Sequence, residues 1–139
     1  MKMNPVVHFE MPAEDQARMS EFYAKTFGWE AKAMGPEMGN YVVVSTSPSD
    51  PNDLSGRPKA PGAINGGFYK KTKPDQYPSV VIAVDDINEA MKKVSDMGGK
   101  VLGGSQGEGI PDDIPGVGLY VSIIDTEGNR VGVLQPKGM

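Results

Sequence analysis

The feature that most constrains the fold is a plan that the chain runs through twice: a short apolar strand, an amphipathic helix closed by glycine, then strands alone. In "PVVHFEMP" (5–12), side chains alternate, with Val7, Phe9 and Met11 on one face and Val6, His8 and Glu10 on the other. "AEDQARMSEFYAKTFGWE" then sets Met19, Phe22, Tyr23, Thr26 and Phe27 at helical spacing, which predicts a helix stopped at Gly28. The second half repeats the order. "PSVVIAVDD" (78–86) reads as a strand, Asp86 and Glu89 as a capping pair, Ile87, Ala90, Met91, Val94 and Met97 as an apolar stripe, and Gly98 as the stop. "NYVVVSTS" (40–47) and "AINGGFYKK" (63–71) supply strands to the first half. "KVLGG" (100–104) and the hairpin "VGLYVSIID" and "NRVGVLQP" supply them to the second. The expectation is one α+β domain over 1–139, built from two tandem βαβββ modules at 5–71 and 78–136.

Between these elements, "PSDPNDLSGRPKAPG" (48–62) reads as an exposed loop and "SQGEGIPDDIPG" as a flexible connection. Composition narrows the function. Fourteen basic and eighteen acidic residues, with no basic stripe, argue against a nucleic-acid partner. No run approaches the ~20 apolar residues of a membrane span and no charged-then-apolar leader opens the chain, so a cytoplasmic protein without a membrane partner is expected. The absence of cysteine removes disulfides, thiol nucleophiles and thiolate metal sites. With His8 the one histidine, a two-histidine metal site would need a second chain.

Together, "HFEMPAEDQARMSEFYAKTFGWE", "GAINGGFYKK", "VDDINEAMKKVSDMGGKV" and "IPGVGLYVSIIDTEGNRVGVLQP" resemble the vicinal oxygen chelate superfamily, the glyoxalase, bleomycin-resistance and extradiol dioxygenase-like proteins. The resemblance spans nearly the whole chain. It implies that the two modules form an open, cavity-lined β-barrel with helices on the convex side, and that the protein is a homodimer. It also implies where metal ligands would stand: at His8, near Ser79, at or near Gly66, and at Gly132, three residues after the Asn of the "GN" turn. Three of these four positions carry no family ligand, so no cofactor is expected, with a divalent metal left as the open alternative.

Gly132 interrupts the strand "NRVGVLQP", and two readings stand side by side. Either the backbone is crowded or bulged there, or the missing side chain leaves room for a ligand. His8 and Glu10 leave one face of their strand together, and the fold implied by the resemblance assigns that face to the cavity. Burial there would raise a carboxylate's pKa and suit Glu10 to general-base work. The alternative is that His8 is a hydrogen-bonded remnant and Glu10 a buried acid paired with Arg130, which shares the parity of Gly132. Asn65, Tyr69, Tyr120 and Ser122 are further candidates for ligand contact, and Met19, Met91 and Met97 read as core filler.

Three functions follow. The first is a glyoxalase/bleomycin-resistance-like protein that binds a small organic ligand through His8, Glu10, Asn65, Tyr69, Tyr120 and Arg130, without the full metal site. The second is a lyase or isomerase of glyoxalase type with Glu10 as general base. The third is a protein whose cavity is vestigial and which acts in a complex. An extradiol dioxygenase is disfavoured, because its iron needs two histidines.

Overall fold

The computed structural model describes residues 2–49, 58 and 60–137. Most of the loop expected at 48–62 lies outside the described residues. Two compact units divide the chain, one of His8–Pro78 and the other of Met1–Val7 with Ser79–Met139.

In the His8–Pro78 unit, the alternating stretch forms β1 (Val6–Ala13), and α1 (Gln16–Phe27) follows. Asp15 caps the helix by accepting the Arg18 N–H at 3.0 Å. The helix ends at Gly28, whose φ of 76° is the left-handed turn that an L side chain resists. Then come β2 (Glu30–Ala33), a 3-10 turn at Pro36–Met38, β3 (Val42–Ser45) and β4 (Asn65–Lys70). The strand order is β2-β3-β4-β1, antiparallel except for the parallel pair β4 and β1. Ala13, Val42, Val44 and Phe68 form the buried core, with Phe9, Met11, Met19, Tyr23 and Trp29 packed on it.

The expected stripe of α1 is corrected. Met19 and Tyr23 face the sheet, while Phe22 and Phe27 are 56% and 62% exposed. Tyr23 is why. Its ring stacks on Trp29 at 4.7 Å and meets Phe68 at 5.6 Å, which fills the inward position and leaves Phe22 edge-on to it at 5.0 Å and Phe27 stacked beside it at 5.9 Å.

The other unit contains β5 (Ser79–Ala83), α2 (Ile87–Asp96), β6 (Lys100–Gly103), β7 (Asp112–Ile114), β8 (Gly118–Ile124) and β9 (Arg130–Pro136). The order is β5-β9-β8-β6 with β7 beside β8, and β5 runs parallel to β9. Asp86 caps α2 by accepting the N–H groups of Asn88 and Glu89, and Ile87 is fully buried among Val84, Val121, Ile123 and Val133. Met97 is not core filler. It stands beyond the last helical turn and is 77% exposed. Within the connection read as a loop, "DDI" pairs with β8 as β7, a strand that neither alternation nor β-branched content announces.

Candidate functional site

Pairing of β1 with β4 sets the polar face of the first unit. His8 lies in register with Asn65, Glu10 with Gly67 and Pro12 with Tyr69, and residues in register share a face. His8, Glu10, Asn65 and Tyr69 therefore stand on the side opposite Phe9, Met11 and Phe68, which pack toward α1. The same register narrows the first-half position that the resemblance implied at or near Gly66. Gly66 pairs with Phe9 and belongs to the helix side, where a Cβ would come within 2.5 Å of the Phe9 ring. Gly67 is the glycine on the face of His8.

Tyr41, just before β3, covers Gly67, and a Cβ there would meet the phenol at 2.0 Å. Its Oη lies 2.9 Å from His8 Nε2 and 3.4 Å from Glu10 Oε2. The contact with His8 is a full hydrogen bond and the one with Glu10 a weak one. The phenol has one proton: when it donates to Glu10 its oxygen accepts from His8 Nε2–H, and in the other tautomer it donates to the imidazole. Burial lowers the His8 pKa below its ordinary value, against the opposing pull of the Glu10 charge. Asn65 is committed in part to the fold, since its Oδ1 accepts the Thr46 N–H at 3.0 Å.

Sequence reasoning did not single out Tyr41. Its signal is an aromatic residue heading a β-branched strand opposite a "GG" pair, a combination in which the ring lies over the glycine diagonally across the ladder.

The second unit repeats the device. Gly132 pairs with Val81 and with Ser122 in an unbroken ladder, so no bulge explains it. The Tyr120 ring lies over it, with Oη 2.6 Å from where a Cβ would be. Tyr120, Ser122 and Arg130 share that face, and Arg130 donates from Nη2 to Ser122 Oγ at 3.3 Å. Close approach of a side chain from the same unit is thus the reading of Gly132 that the geometry supports.

The four positions at which the resemblance implied metal ligands do not fit a metal. His8 alone offers a nitrogen or carboxylate donor; position 79 has a serine, and the two glycines on these polar faces lie beneath tyrosine rings. Among the described residues, no three His, Asp or Glu side chains are grouped to hold a metal ion.

The overlap at Gly67 makes a stability test. Gly67→Ala is expected to displace Tyr41 and cost about 1–3 kcal/mol. The loss should be smaller in a Tyr41→Ala background, where the space is open. Urea unfolding of the four proteins in a double-mutant cycle measures the coupling. Purely additive losses would contradict the contact.

The sequence family described as the Glyoxalase/Bleomycin resistance protein/Dioxygenase superfamily matches residues 6–133. The chain belongs to that superfamily, and its α+β architecture is the glyoxalase-like fold. Comparison with curated proteins gave no match. Among solved structures, the chain is similar to methylmalonyl-CoA epimerase of Streptomyces coelicolor in complex with 2-nitronate-propionyl-CoA, at 15% identity and a TM-score of 0.66 over 99% of this chain and 100% of that one. A hypothetical protein of Bacillus halodurans C-125 gives 11% identity and a TM-score of 0.67 over 99% and 98%. Methylmalonyl-CoA epimerase of Mycobacterium tuberculosis gives 11% and 0.62 over 94% and 87%. No helix among the described residues is long and apolar enough to cross a membrane.

Proposed function

We propose that this protein binds a small organic ligand on the polar face that carries His8, Glu10 and Tyr41, and does so without the full metal site of its superfamily. The observation that carries the reading is the His8–Tyr41–Glu10 cluster: an imidazole and a carboxyl group each in reach of one phenol on a half-buried face. Such a set offers both donors and acceptors to a ligand's carbonyl or carboxylate oxygens. Asn65 and Tyr69 on the same face are the further contacts of this reading. Tyr120 and Arg130, on the polar face of the second unit, are further candidate contacts of this reading.

A second reading is a lyase or isomerase with Glu10 as the base that takes a proton beside a carbonyl and Tyr41 as the neighbouring donor. The likeness to epimerases crystallised with acyl-CoA ligands supports it. A homodimer burying at least about 1,200 Å² also belongs to the proposal.

Elemental analysis of protein purified without chelators should find no stoichiometric transition metal; one equivalent lost on His8→Ala would overturn the metal-free reading. A thermal-shift screen of aldehydes, aromatic metabolites, glycopeptides and acyl-CoA thioesters should reveal the ligand class. Saturation at one hundred times the dissociation constant stabilises by about 2.7 kcal/mol. Glu10→Gln should keep the fold and change affinity or turnover, and unchanged behaviour in both would remove Glu10 from the site.

His8 adds a pH signature. Its folded pKa is lowered by burial, so the unfolded chain takes up a proton first as pH falls. Stability is therefore complete above the unfolded value of about 6.5 and declines as pH drops from there toward the lower folded value. His8→Gln should flatten that decline in denaturation curves taken across the window. An unaltered slope would show that His8 is not the group responsible.

A further inference from the structure

The edge strand β2 carries a self-complementary pattern. Among the described residues it pairs only with β3 and ends the strand order of its unit, and it is exposed along its length. The N–H of Met34 donates to the Tyr41 carbonyl at 2.8 Å, so the backbone groups of residue 34, and by alternation those of Lys32 and Glu30, point toward β3. Those of Ala31 and Ala33 point outward, and the same alternation carried one residue back turns the Trp29 carbonyl outward as well.

We propose that a second copy of this chain docks antiparallel along β2, about a two-fold axis at Ala31. The inference rests on the homodimer reading above and names the surface that forms it. At that axis the outward N–H of Ala31 donates to the carbonyl of Ala31 in the second copy, and the reverse. The outward N–H of Ala33 donates to the carbonyl of Trp29 in the second copy, again twice by symmetry. The N–H of Trp29 is engaged with the Tyr23 carbonyl at 3.4 Å, so it makes no demand on the partner.

Charge selects this register. With Ala31 on the axis, Glu30 lies directly opposite Lys32 of the second copy, and Lys32 opposite its Glu30. These are non-hydrogen-bonded pairs, the type in which side chains come closest. Moving the axis to residue 30 sets Glu30 against Glu30, and moving it to 32 sets Lys32 against Lys32. The neighbouring registers are thereby rejected by like-charge contact. On the other face, Ala31 and Ala33 present no bulk to a second strand. They border a cleft of about 680 Å³ that also involves Gln16, Ser20, Met34 and Lys70. The two copies of this cleft would then meet across the axis.

The chain has no cysteine, so an introduced thiol reports on one position alone. Cα atoms in a hydrogen-bonded antiparallel pair lie about 5.5 Å apart, within disulfide reach. Ala31→Cys in the full chain should oxidise to a covalent dimer, while Asn88→Cys on the exposed face of α2 should not. In light scattering, Glu30→Lys or Lys32→Glu alone should raise the dimer dissociation constant by about tenfold or more, and the double exchange should restore it. A monomer at micromolar concentration would overturn both the edge pairing and the dimer reading. A dimer that ignores the charge changes and leaves Ala31→Cys uncrosslinked would overturn the edge pairing alone. Crosslinking without any response to charge would mean another register, and would overturn the Glu30–Lys32 pairing.

Discussion

Phe68→Ala should remove about 3–5 kcal/mol of stability, the range for deleting a fully buried aromatic ring. Phe68 is 0% exposed and sits at the centre of the first unit's core. Its strand neighbours are Met11 on β1 and Val42 on β3, and Tyr23 of α1 lies on its ring at 5.6 Å. Its carbonyl accepts the Gln16 side-chain amide at 2.9 Å, which fixes the start of α1 to β4. Removing the ring leaves a void bounded by both sheet neighbours and the helix, and a regular ladder on each side resists collapse into it. The polar face should feel the loss as well, because β4 also presents Asn65, Gly67 and Tyr69. Denaturant unfolding measures the effect, and Phe68→Leu should recover much of it. A loss below about 1 kcal/mol would mean that the core is far less tightly packed than the geometry requires.

Much of this fold was legible because its strands and helices carry simple periods. Alternation in "VVHFEMP" set Phe9 and Met11 on one face and His8 with Glu10 on the other, the resemblance assigned the first to the helix side, and the register with β4 agrees. Apolar stripes and glycine stops, with the Asp86–Glu89 capping pair for the second, located both helices to within a few residues. Three details were not legible, each for a physical reason. Phe22 and Phe27 fall on the apolar stripe of α1, yet period alone does not say how wide a surface the helix covers, and Tyr23 already fills it. β2 and β7, "EAKA" and "DDI", take their strand form from a single neighbouring strand and not from their own composition. Parity at "INGG" was open by one residue, enough to exchange the helix-side Gly66 for the site-side Gly67. Tyr41 was missed for a related reason: the aromatic before a β-branched strand and the "GG" pair are both visible in the sequence, but the diagonal contact that joins them depends on a register that the fold supplies.

Gly118→Ala is the other substitution with a large expected effect. Gly118 is buried at the start of β8, in register with Ile114 on one side and Pro136 on the other. Its φ is 144°, outside the range that L residues ordinarily adopt, and a Cβ would lie 2.1 Å from the Gln135 carbonyl oxygen. Gly132 shows the contrast, since the atoms in its way belong to the end of the Tyr120 side chain, which can rotate. The carbonyl of Gln135 cannot move without opening the β8–β9 ladder. Backbone strain of about 1–3 kcal/mol and overpacking of about the same size then add, so the loss should reach about 3 kcal/mol or more. The register of β8 with β9 sets Tyr120 over Gly132 and Ser122 beside Arg130, so the polar face of the second unit should be disturbed with it. Gly128→Ala provides the control. Its φ of 86° is also left-handed, but nothing among the described residues lies within 4 Å of a Cβ there, so only the conformational cost of about 1–2 kcal/mol should appear. Equal losses for the two variants in urea unfolding would show that the close approach of Gln135 carries no energetic weight.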